Sequence, residues 1–86
     1  MLLNRGKDFL SAGDLSAAQL LLRRAAEAGS AEAALALAST YDTHYLAAHG
    51  VAGVAGDEVK ARAWYQRAAE LGSPEAARIL AQMSAK

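Results

Sequence analysis

Asp42, His44 and His49 lie within eight positions of one another and combine a carboxylate with two imidazoles, donor types that can hold zinc. Their spacing fits no established ligand pattern, so hydrogen bonding within a loop or contact with solvent is the stronger reading, and no metal site is expected. Arg24 with Glu27, and Arg67 with Glu70, pair a base with an acid three residues apart. That separation places each pair on one helix face as an ordinary surface ion pair, without the buried cleft that would tune it for proton transfer. Ser11, Ser16, Ser30, Ser39, Ser73 and Ser84 read as helix caps or surface positions, with no base and orienting group to activate a nucleophile. Gly50, Gly53 and Gly56 lack the strand-to-helix setting of a phosphate-binding loop. No cysteine is present to act as thiolate ligand, nucleophile or disulfide partner. No catalytic residue, metal or cofactor is expected.

The elements that carry these residues come in two copies. Aligning the segment from Asp14 with the segment from Asp57 superimposes Arg24-Ala25-Ala26-Glu27 on Arg67-Ala68-Ala69-Glu70, Gly29-Ser30 on Gly72-Ser73, and Glu32-Ala33-Ala34 on Glu75-Ala76-Ala77. The period is 43 residues, in the range of helical solenoids whose units bury their apolar faces only by stacking. In the second copy Val59, Ala61, Trp64, Tyr65, Ala68 and Leu71 recur at helical spacing, predicting a helix over 58–71 capped by Asp57 and ended by Gly72. Ser73 caps the next helix, Pro74 opens it, and it runs to Ser84. The first copy repeats this grammar: Asp14 as cap, a stripe of Leu15, Ala18, Leu21, Leu22, Ala25 and Ala28, then Gly29, Ser30 and a helix from Ala31 to Asp42. Leu2, Leu3, Gly6, Phe9 and Leu10 form a shorter stripe ahead of both copies.

The expected fold is therefore all-α, an α-solenoid of stacked antiparallel helical hairpins with about five helices. Residues 1–86 form a single helical-repeat domain, with 1–13 a half repeat, 14–56 the first repeat and 57–86 the second. The stretch from Thr43 to Gly56 reads as an ordered, packed loop, with Val51 and Val54 anchoring it against the following helix. Trp64 and Tyr65 read as core rather than as ligand anchors, because they share helical spacing with Ala61 and Ala68.

Composition narrows the role. Nine basic and nine acidic side chains give zero formal charge and are spread evenly over both halves, so nucleic acid is not an expected partner. The longest uninterrupted apolar run, Ala33 to Ala38, is far below the ~20 residues of a membrane helix, so no membrane insertion is expected. Alanine carries much of the 53% apolar fraction, so close backbone approach must substitute for bulky side chains.

Ala63-Trp64-Tyr65-Gln66-Arg67-Ala68-Ala69-Glu70-Leu71-Gly72 closely resembles the core motif of Sel-one-like repeats, a tetratricopeptide-related α-solenoid family. Asp57, Lys60 and Ala61 resemble the family's approach to that motif; Leu37, Tyr41, His49-Gly50 and Val51 resemble its second helix and following loop. The first copy departs in having Leu21-Leu22 for the aromatic pair, and the stretch Thr43–Ala48 lengthens the usual connection. The resemblance implies a non-catalytic scaffold that binds a protein or peptide partner, in bacteria often within envelope, secretion or signalling systems. The polar positions expected to face that partner are Gln19, Arg23, Arg62 and Gln66. The alternative is structural self-assembly, a homodimer formed through the end helices of a larger envelope or signalling protein, with Ile79, Leu80 and Met83 at one exposed end.

Overall fold

The computed structural model describes residues 15–50 and 56–84. Five helices are found there: α1 (Leu15–Glu27), α2 (Ala31–Tyr41), α3 (Thr43–Ala48), α4 (Glu58–Glu70) and α5 (Pro74–Ser84). The architecture is all-α, as the residue pattern predicts. The expected cap Asp14, the N-terminal stripe from Leu2 to Leu10 and the proposed anchors Val51 and Val54 lie outside the described residues.

Both hairpin turns have the same chemistry. Gly29 has φ 102° and Gly72 φ 106°, a region where a Cβ would be strained. In the first turn Gly29 N–H donates to Ala26 O (2.9 Å) and Ser30 N–H to Ala25 O (3.1 Å). Gly72 to Ala69 O (3.0 Å) and Ser73 to Ala68 O (2.9 Å) repeat the pattern, which satisfies carbonyls a helix end would otherwise leave unpaired. The same serines then cap the next helix, Ser30 Oγ accepting from Ala33 N–H and Ser73 Oγ from Ala76 N–H, each at 3.1 Å. One residue thus ends one helix and starts another, and so short a link forces antiparallel packing.

The connection between the copies differs from the expected loop. Thr43–Ala48 is a helical turn and a half, and Leu46 at its centre is 3% exposed. Its physical cause is Asp42, which closes α2 and also N-caps α3, accepting from the backbone N–H of His44 (2.9 Å) and Tyr45 (3.4 Å). No helix breaker follows until Gly50, so the cap is enough to start a helix. The chain returns at Gly56, where a Cβ would run into the Thr43 side chain and sit 2.9 Å from Tyr41 O. This close approach lets Asp57 N–H donate to Tyr41 O at 2.8 Å, docking the start of α4 on the end of α2.

The core is assembled from small side chains and a few large ones. Ala18, Ala26, Ala33, Ala34, Ala38, Ala61, Ala68 and Ala76 are fully buried, and Leu22, Leu37 and Tyr65 fill the space among them. Val59, assigned by spacing to the α4 stripe, is instead 80% exposed. At 3.6 residues per turn it lies about 200° around the helix from Ala61, on the far side.

Candidate functional site

A groove of about 890 Å³ opens where the two copies meet. Its walls are α2, through Glu32, Leu35, Ala36 and Ser39, and α5, through Glu75, Ile79, Gln82 and Met83; α4 supplies Glu58, Arg62 and Tyr65 between them. His44 and Tyr45 from α3 close one end. Counted from Glu32, Glu58 and Glu75, the other lining positions on each helix recur three, four, seven or eight residues on, so each helix presents one face. Glu32, Ala36 and Ser39 are also the repeat-equivalents of Glu75, Ile79 and Gln82, one 43-residue period apart. Because α4 returns antiparallel between them, α2 and α5 run parallel and offer equivalent positions to the same surface.

Tyr65 and Asp42 form the buried joint beneath this groove. The Tyr65 hydroxyl donates to Asp42 Oδ2 at 2.6 Å, while Oδ1 holds the α3 backbone. Tyr65 is 1% exposed and Asp42 9%. Burial, and then the bond to the Asp42 carboxylate, push the phenol far above its ordinary pKa, so it stays protonated as the donor. Asp42 therefore ties α2, α3 and α4 together. The His49 ring stacks on Tyr45 with centroids 4.0 Å apart and places Nδ1 3.0 Å from Tyr45 O. Among the described residues, no group of three metal-binding side chains converges.

The four polar residues expected to face a partner are divided by the fold. Arg62 lines the groove. Gln66, one turn further along α4, is exposed but outside the lining. Gln19 Nε2 donates to Thr40 Oγ1 (3.1 Å) and Arg23 Nη2 to Tyr41 OH (3.4 Å), so both reach the C-terminal end of α2 from α1. The i,i+3 pair Arg67–Glu70 is present at 3.6 Å between exposed side chains, a surface ion pair as its spacing suggests. Trp64 is half-buried against the core and, with Glu27, Ala63 and Arg67, lines a smaller cavity of about 330 Å³. Residue-level reading missed the groove walls; the repeat-equivalence of Glu32, Ala36 and Ser39 with Glu75, Ile79 and Gln82 is the signal that points to them.

The Sel1 repeat family model matches residues 1–30 and 31–73, most of the chain. The chain belongs to the Sel1 repeat family. The second matched Sel1 unit spans one full 43-residue period and begins at Ala31, so it joins α2, α3 and α4 into a single repeat. Sel1 repeats are typically protein-interaction modules and generally non-catalytic. No curated protein and no solved structure matches the chain. Among the described residues, no helix of this Sel1 repeat chain is long and apolar enough to cross a membrane.

Proposed function

We propose that this chain is a scaffold module that receives a segment of a partner protein in the groove over α4. The observation that carries the reading is the groove itself, where Leu35, Ala36, Ile79 and Met83 offer half-buried apolar surface beside exposed charged groups. Concave sites of this kind, apolar with a few convergent polar groups, are the usual place for ligand capture. Arg62 is the member of the expected quartet that contacts the bound segment, whereas Gln19 and Arg23 brace α1 against α2. Peptides selected from a displayed random library would be titrated against the wild type and against Arg62→Ala and Arg23→Ala, with circular dichroism to confirm folding. Loss of affinity in Arg62→Ala but not in Arg23→Ala is expected. Equal affinity of the wild type and Arg62→Ala would move the binding face elsewhere.

Self-assembly is supported by one separate observation. Ala77 and Ala81 on α5 are exposed, whereas their repeat-equivalents Ala34 and Ala38 on α2 are fully buried in the core that α4 closes. The α5 face thus has the composition of a stacking surface. Light scattering over a concentration series tests whether a homodimer covers it; a monomer at every concentration would exclude that role.

A further inference from the structure

We infer that the groove takes an apolar segment carrying a basic residue at each end, an inference that rests on the groove being the binding face. The chain as a whole is electrically balanced, but its charges are sorted in space. Among the described residues Arg23, Arg24, Lys60, Arg67 and Arg78 all lie outside the groove lining, leaving Arg62 as its single guanidinium. Four of the seven described carboxylates line the groove: Glu32, Asp42, Glu58 and Glu75. Asp42 is occupied by Tyr65 and the start of α3. Even setting Glu32 aside, exposed Glu58 and Glu75 outweigh Arg62.

The positions of those two carboxylates define the spacing. Glu58 opens α4 beside the end of α2, where its Oε1 accepts from Thr43 N–H at 3.2 Å. Glu75 lies in the first turn of α5, at the opposite end of the antiparallel α4–α5 hairpin. A rise of 1.5 Å per residue separates them by about 15 Å, some three helical turns. That exceeds the Debye length of about 8 Å at physiological salt, so each carboxylate recognises its own cation. Between them the Leu35, Ile79 and Met83 surfaces accept apolar side chains. An acidic segment would meet like charge at both ends, which disfavours it.

Two peptides of about twelve residues test this, a leucine- and alanine-rich sequence with lysine at both ends and the same sequence with glutamate there. Each is titrated into the isotopically labelled full chain, reading amide shifts and affinity at low and high salt. The lysine peptide is expected to shift the amides of Leu35, Arg62 and Ile79 and to bind about tenfold tighter than the glutamate peptide, a preference that salt erodes. Glu58→Gln with Glu75→Gln should remove the preference, and glutamine keeps an acceptor for Thr43 N–H so that the fold is retained. Equal or tighter binding of the glutamate peptide at the same amides would overturn the charge assignment while leaving the groove as the binding face. If neither peptide moves those amides, the groove reading falls together with the inference.

Discussion

Replacing Tyr65 by phenylalanine removes one oxygen atom from the joint beneath the groove and leaves the ring in place. The lost hydroxyl donates to a carboxylate at 2.6 Å from a residue that is 1% exposed. Hydrogen bonds to charged groups contribute roughly 1.5–3 kcal/mol, so a loss of about 2 kcal/mol is expected, moderated because Asp42 Oδ1 keeps its two backbone donors. For a domain of this size that corresponds to a fall in melting temperature of about 8–16 °C. Urea unfolding followed through Trp64, the single tryptophan, supplies the number, and a cycle with Asp42→Asn should return a coupling of about 1 kcal/mol or more. The phenol also makes the effect depend on pH. Burial first, and the Asp42 bond second, raise the Tyr65 pKa above its ordinary value of 10.0, so above that pH the unfolded tyrosine loses its proton while the folded one keeps it. The Tyr65 contribution is fully present below pH 10.0 and decreases as pH rises beyond it, so the gap between wild type and Tyr65→Phe should narrow there. A variant within about 0.5 kcal/mol of wild type, or a gap that stays constant through that range, would refute the assignment of Tyr65 as the protonated donor that locks α4 to the α2–α3 corner.

Two glycine substitutions separate conformational strain from steric collision. Gly72→Ala places a side chain at φ 106° where, beyond the adjoining residues, a Cβ meets nothing within 4 Å, so its cost should be conformational, about 1–2 kcal/mol by thermal unfolding; a neutral result would show that the turn relaxes. Gly56→Ala should cost about 1–3 kcal/mol for a different reason, the collision with Thr43 and Tyr41 O. It should also speed hydrogen exchange at the Asp57 amide, whose bond to Tyr41 O depends on that approach, and unchanged exchange would count against it.

Features that depend on neighbours in the chain were legible. Ser30, Ser73 and Asp57 cap helices and Gly29 and Gly72 end them because each acts through backbone groups within a few residues. Tyr65 was legible as core because Ala61 and Ala68 lie beside it at helical spacing. The α3 helix was hidden by the glycines that follow it, and by the double use of Asp42, which reads as a helix end although it starts the next one. The groove was less accessible still, since its walls are contributed by positions 43 residues apart and its floor by the intervening helix. Arg62 and Arg23 look alike along the sequence. What separates them is how α1 and α4 pack on α2, which is a tertiary quantity.

The alanine-rich core explains why so much depends on Asp42. Fully burying leucine or tyrosine side chains contributes a few kcal/mol each, but alanine contributes far less, and fully buried alanines outnumber Leu22, Leu37 and Tyr65 here. Small side chains permit close helix approach without specifying rotation, because an alanine surface offers few ridges to interlock. Directional bonds must then set the angle of α4 on α2. Tyr65 to Asp42 and Asp57 to Tyr41 O are two such bonds, both converging on the corner where α2 gives way to α3. The same corner carries His44 and Tyr45 into the groove. Weakening it should therefore change groove shape as well as stability, so Tyr65→Phe, with its side chain still packed, is expected to lower peptide affinity under conditions where the domain remains fully folded. Unchanged affinity in that folded variant would show that alanine packing alone is enough to set the helix angle.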